Sequence, residues 1–199
     1  MSASGKSLEV MSPETTALEI TLSPRKPKAI EGVLTKEEFA RMWRAAQDAK
    51  DRCILALGLL GLRASEMADV TSDWVDFAQG TITIPRGKGR KPRTVSFEYI
   101  DLVKGMVQAY FHLHDRLGLT RQAIWSRVRR MARSAGIAKR VTPHSLRATA
   151  ATWYAQAGFS AQALREHFGW DHLGTAQKYI EQSGATALRE MREKGTRIF

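Results

Sequence analysis

A chain of 199 residues with 43% apolar side chains is long enough for one globular unit and a tail, and apolar enough for an ordinary core. Lys and Arg number 31 against 20 Asp and Glu, a net charge of +11 that makes a polyanion, nucleic acid first, the expected partner. No apolar run approaches the roughly 20 residues that cross a bilayer, the N-terminus lacks the apolar segment of a signal peptide, and the single cysteine, Cys53, excludes an intrachain disulfide and reads as a core residue, so an intracellular protein is expected.

Residues 1 to about 30 are rich in Ser, Thr, Pro and charge and read as a flexible arm, either solvated or touching phosphates through Arg25, Lys26 and Lys28. Order is expected from residue 31. Thr35 and Glu38 form a capping box, Leu34 and Phe39 fit a hydrophobic staple, and Phe39, Met42, Trp43 and Ala46 follow at helical spacing. A second apolar helix, CILALGLL, stops at Gly61, and RASEMADV starts another behind it, which sets Arg63 at a corner. The runs TITIP and RTVSF flank RGKGRKP as a hairpin with a basic tip, and WVDF just before them adds a third antiparallel strand.

Residues 100–117 return to helical spacing through Val103, Met106, Val107 and Tyr110, and LTRQAIWSRVRRMARSAG makes a further helix capped by Thr120 and closed by Gly136. Ile124, Val128, Met131 and Ala135 share one face of it, with Arg129, Arg130 and Arg133 opposite and Arg127 at the edge. That stripe fits a phosphate track or a solvated face equally well. The rest of the chain reads as mainly helical. In TPHSLRATAATWYAQAG, Thr142 caps a helix, Pro143 suits its first position, and His144 and Arg147 lie three apart where helix N–H groups favour an anion. Alone, such a His-x-x-Arg pair singles out no function.

Taken together, GLRASE with Arg63, the GKG turn with Lys88, HSLR with His144 and Arg147, and FGW with Trp170 nine residues before Tyr179 form a specific ordered pattern. From about residue 31 to 182 the chain resembles the tyrosine recombinase family, which includes phage integrases and Xer-type recombinases. The resemblance implies an α+β fold, a mainly helical catalytic domain over residues 31–182 with a small three-stranded antiparallel sheet. It also implies a tail, residues 183–199, that docks on a neighbouring protomer or on its own domain. Arg63, Lys88, His144, Arg147, Trp170 and Tyr179 correspond to the family's active-site positions.

The implied chemistry needs these residue types. Two guanidiniums, Arg63 and Arg147, hold the nonbridging oxygens of a phosphodiester as charge gathers on them. The Tyr179 phenol attacks the phosphorus, and the 3′-phosphotyrosyl intermediate keeps the bond energy, so strands rejoin with no cofactor, no metal and no ATP. Lys88 is expected to protonate the leaving 5′-oxygen, with Lys91 the competing lysine in the same loop, and His144 to hydrogen-bond the phosphate or assist the tyrosine. Trp170 stands where the family more often has histidine; an indole donates a hydrogen bond and packs but exchanges no proton in this role. His172 reads as a surface residue, and Ala148 replaces another histidine common in the family.

Tyr99, Tyr110 and Tyr154 compete as nucleophiles without a motif around them. Glu66 and Asp69 are expected to orient Arg63 or cap local donors rather than bind metal, and GKGRK lacks the spacing of a phosphate-binding P-loop. Candidate DNA contacts are Arg86, Arg90, Lys91 and Arg93 around the hairpin tip and Arg127, Arg129, Arg130 and Arg133 on the basic helix. The partner implied is a double-stranded DNA target site, with self-association on it from dimer to tetramer. Family members usually carry an N-terminal helical domain that clamps DNA, which the short arm does not supply. A non-catalytic DNA-binding protein on the same fold and a DNA-relaxing, topoisomerase-like activity are the alternatives.

Overall fold

The capping box read from Thr35 and Glu38 opens α1 (Lys36–Arg44): the Thr35 N–H donates to Glu38 Oε2 at 2.8 Å and the Glu38 N–H to Thr35 Oγ1 at 3.2 Å. Leu34 and Phe39, on either side of the cap, are both buried. The computed structural model describes residues 31–85 and 92–184, so the arm with Arg25, Lys26 and Lys28, the hairpin tip with Arg86, Lys88, Arg90 and Lys91, and the tail from 185 lie outside the described residues. Leu34 is pinned from both sides: its N–H donates to Thr149 Oγ1 at 2.9 Å and its carbonyl accepts from Trp153 Nε1 at 3.2 Å.

At the centre lies α2 (Ala49–Leu59), buried without interruption from Cys53 to Leu59, as a helix apolar on every side must be. Around it pack α4 (Asp101–Leu113), α5 (Arg121–Ser134) and α6 (Pro143–Gln156). Its one charged intruder, Asp51, is fully buried and answers to α5 through ion pairs with Arg127 and Arg130, at 2.8 and 2.5 Å. A carboxylate there is tolerable only with such partners. Two of the four arginines in the basic stripe of α5 are thereby paired within the protein.

Between α3 (Ala64–Asp69) and α4 the chain makes a sheet of order β1-β2-β3 from β1 (Val75–Asp76), β2 (Thr81–Ile84) and β3 (Arg93–Ser96), all antiparallel. Val75 faces Ile82 and Ile82 faces Val95, a buried row that fixes the register. The strand expected from WVDF is β1, and it is shorter than that run suggests. A 3₁₀ turn over Ser72–Trp74 takes its front, and the Gln79 N–H bonds Asp76 Oδ1 at 2.8 Å as the chain reverses. Likewise α4 stops at Leu113, not 117, because the chain beyond it pairs with the segment before the sheet: the Ser72 N–H donates to the Asp115 carbonyl at 2.7 Å, and Thr71 bridges Arg116.

The expected apolar face of α5 is present, with Ile124, Val128 and Met131 buried and Thr120 capping the helix through the Ala123 N–H at 3.2 Å. Beyond α6 come α7 (Ala161–Phe168) and α8 (Leu173–Ser183). Two cores result: a large one around α2, and a small one of Ala150, Ala151, Ala155, Leu164, Phe168 and Ala176 between α6, α7 and α8. Helix α6 serves both, with Leu146 in the first and Ala150, Ala151 and Ala155 in the second. The candidate site sits along this seam. Among the described residues no helix is long and apolar enough to cross a membrane.

Candidate active site

Two glycines bring the parts together. Gly61 ends α2 with φ +77°, and a Cβ there would stand 2.4 Å from Phe168 Cε1, so the corner before Arg63 closes onto Phe168 only without a side chain. Gly169 ends α7 with φ +58°, and a Cβ would stand 2.9 Å from Arg93 Cδ. At this helix end three successive carbonyls each receive an arginine. The His167 oxygen accepts from Arg93 Nε at 3.0 Å, the Phe168 oxygen from Arg147 Nη2, and the Gly169 oxygen from Arg63 Nη2 at 3.1 Å. The unpaired carbonyls and negative dipole end of a helix favour cations, so α7 holds all three guanidiniums in one place.

Glu66, on the first turn of α3, faces them. Its oxygens accept from the Arg63 N–H at 2.7 Å, Arg63 Nη1 at 2.8 Å, Arg93 Nη1 at 2.8 Å and Arg93 Nη2 at 2.7 Å. Burial alone raises a carboxyl pKa, yet these two arginines hold Glu66 down to about 2. A depressed carboxylate contributes stability that is present above its unfolded pKa and lost as pH falls from the ordinary range near 4 toward 2. Urea unfolding at a series of pH values is therefore expected to show a steeper acid loss in the native chain than in Glu66→Gln, whose profile lacks that component.

Arg147 leaves α6 toward α2 and α7. It is 5% exposed, and its Nη1 also donates to the Gly61 carbonyl. Burial first, then Arg63 and Arg93, lower its pKa to about 9, so it stays charged at neutral pH and gains from any anion brought near. Its guanidinium lies 5.1 Å from the Phe168 ring and 5.8 Å from the Trp170 ring. Those rings begin a ladder: Phe168 on Trp170 at 4.8 Å and 13°, then Trp170 on Tyr179 at 5.1 Å and 7°. Tyr179, on α8, is half-buried; burial raises its phenol pKa and Arg147 lowers it.

Beside the arginines opens a pocket of about 300 Å³ lined by Arg63, Arg121, Trp125, His144 and Arg147 among others. Thr142 caps α6 and Pro143 occupies its first turn as the sequence suggests, which leaves His144 exposed at the pocket rim. Neither Tyr179 nor Trp170 lines this pocket; Tyr179 stacks on Trp170, whose ring lies 5.8 Å from the Arg147 guanidinium that does. Five of the six motif residues thus converge, and Lys88 lies outside the described residues.

The expected DNA contacts divide. Arg93 is not a surface residue of the hairpin: its side chain is 8% exposed and committed to Glu66 and the α7 carbonyl. Arg127 and Arg130 are tied to Asp48 and Asp51. Arg129 lies over the Trp125 ring at 4.9 Å, and with exposed Arg133 it lines a second hollow of about 210 Å³ that Lys139 and Arg140 also border.

Among the other tyrosines, Tyr110 and Tyr154 are packed and pushed up to about 12 by burial, and Tyr99 is 89% exposed. His172 is exposed before α8, and Asp69 is exposed while Glu66 serves the arginines. Sequence reasoning missed Arg93 as part of the site, Arg121 and Trp125 as pocket walls, and His167. The last lies 3.0 Å from the Leu60 carbonyl, and burial lowers its pKa to about 4. Among the described residues no three His, Cys, Asp or Glu side chains group as metal ligands would.

Comparison with known proteins adds independent findings. The model of the phage integrase family matches residues 32–185. Tyrosine recombinase XerA of Thermococcus kodakarensis is 30% identical over 190 residues, covering 88% of this chain and 66% of that protein. Tyrosine recombinase XerD of Staphylococcus haemolyticus is 30% identical over 191 residues, covering 85% and 64%. The chain thus spans just under two thirds of the length of these relatives. Among solved structures, XerA recombinase matches with a TM-score of 0.67 at 28% identity over 82% of this chain and 64% of that one. The catalytic domain of bacteriophage HP1 integrase shares the fold, with a TM-score of 0.64 at 20% identity over 81% of this chain and 93% of that one.

Proposed function

The chain belongs to the phage integrase family, and from that premise we propose that it cuts and rejoins double-stranded DNA at a specific site through a bond between Tyr179 and a 3′-phosphate. The observation that carries this reading is the meeting of Arg63, Arg147 and His144 on one pocket, with the Tyr179 phenol stacked on Trp170, whose ring lies 5.8 Å from the Arg147 guanidinium. Relatives named as tyrosine recombinases support it.

In this mechanism Arg63 and Arg147 bind the two nonbridging oxygens of the scissile phosphate, fixed in advance by the α7 carbonyls, so little reorganisation is needed as charge develops. Tyr179 turns from its stack and its phenol oxygen attacks phosphorus. The bond from phosphorus to the tyrosine oxygen forms as the bond to the 5′-oxygen breaks. The departing oxygen takes a proton from Lys88, and the phenol proton leaves to His144 or a water it holds. Attack by a 5′-hydroxyl of another strand reverses every bond change and regenerates Tyr179. Duplex backbone runs on from the pocket past Trp125 to Arg129 and Arg133, and pairs or tetramers of the chain assemble on the target.

A nicked duplex library that traps the cut strand tests this directly. Incubation in EDTA is expected to give an SDS-stable protein–DNA adduct whose peptide map places the nucleotide on Tyr179. Adduct formation only with a divalent cation, or on another residue, refutes the assignment.

A further inference from the structure

A carboxylate offers about four acceptor positions on its two oxygens, and the four bonds to Glu66 fill them: two from Arg63 and two from Arg93, one of the latter on each oxygen. Such a fork is a geometry that arginine supplies and lysine does not. Arg93 is further seated by its Nε bond to the His167 carbonyl and by the close passage of its Cδ under Gly169. It does not line the pocket, so it acts on a ligand only through its neighbours.

Among the described residues three arginines share this cluster with one carboxylate, a net +2 beside the pocket. Without Arg93 that charge falls to +1, and half of Glu66 is left without its donors, next to Arg63. We propose that Arg93 is a positioning residue for the phosphate site: by occupying half of Glu66 it keeps the carboxylate from becoming the exclusive counter-ion of Arg63, and so holds Arg63 available to a phosphate. The role rests on the phosphate binding by Arg63 and Arg147 proposed above. Consistent with one shared electrostatic unit, Arg63 and Arg93 both depress the pKa of buried Arg147.

The test separates charge sharing from simple structural support. Inorganic phosphate is titrated into the full chain and binding is followed by the NMR shifts of the Trp indole N–H groups. Arg93→Met is expected to weaken phosphate binding roughly tenfold, the scale of one unit charge at such distances. Arg93→Met combined with Glu66→Gln restores the net +2 and is expected to return affinity to within about threefold of the native chain. A merely structural arginine gives no such rescue, since the second substitution removes still more hydrogen bonds.

Unchanged binding in Arg93→Met overturns the proposal. So does failure of Glu66→Gln to restore binding, and so does a native chain that binds no phosphate. If Arg93→Met does not fold, Arg93→Gln, neutral but still a donor, is read by the same criteria. The adduct assay is run in parallel. Rescue of phosphate binding in a chain that forms no adduct upholds the positioning role and rejects the recombinase reading; an adduct without rescue does the reverse.

Discussion

Tyr179→Phe is expected to lower single-turnover cleavage of a trapped duplex by at least about 10⁴-fold, to the limit of detection, because it deletes the attacking oxygen and no group replaces it. The ring remains. Phenylalanine can keep the 5.1 Å stack on Trp170, so the α7–α8 packing survives and the unfolding free energy should stay within about 0.5 kcal/mol of the native value. DNA affinity at fixed salt should be unchanged as well. Any adduct that persists in this variant would move the nucleophile elsewhere. The alternatives are poorly placed: Tyr110 and Tyr154 are packed with their pKa values raised to about 12, and Tyr99 stands exposed on the run into α4.

Arg147→Ala carries the second large effect, on two scales at once. The side chain serves the Gly61 and Phe168 carbonyls, and its loss leaves both acceptors buried without that donor, a cost of about 2–4 kcal/mol. Loss of one arm of the phosphate clamp should lower the cleavage rate of the folded fraction by about 10³-fold, the scale of removing a donor to a developing oxyanion. Arg147→Lys separates the two, since an ammonium keeps the charge but cannot bridge both carbonyls and a phosphate; a loss of about 10²-fold is expected there. Overall DNA affinity should fall little in either variant, because one phosphate contact among many sets only a small part of the salt-dependent term. Stability from urea unfolding and rates from rapid quench, measured on the same preparations, check both statements.

Much of this site is written locally in the chain. Thr35 with Glu38, Thr142 with Pro143, and Gly61 are short-range signals whose geometry depends on residues three or four apart, and each appears where the sequence places it. Arg63, His144, Arg147, Trp170 and Tyr179 were legible as an ordered set of motifs. Arg93 was not, because its partners lie 27 and 74 positions away, and beside a basic turn it looks like one more surface charge. A signal was present nonetheless: strand residues two apart share a face, and Arg93 precedes buried Val95 by two, so alternation points it inward. Arg127 and Arg130 carry the matching lesson. A fully buried acid at the start of the apolar helix α2, Asp51, demands cations from elsewhere, and the basic stripe of α5 is where they come from.

The row of carbonyls at the end of α7 ties the reaction centre to the length of one short helix. Successive residues of an α-helix are rotated by about 100°, so adding or deleting a single residue between Ser160 and Gly169 would turn the oxygens of residues 167, 168 and 169 away from Arg93, Arg147 and Arg63 together. Point substitutions on the outer face of α7 leave that register intact. Variation in the eight residues of α7 is therefore constrained in number far more than in kind, and insertions that change recognition have to enter outside this helix.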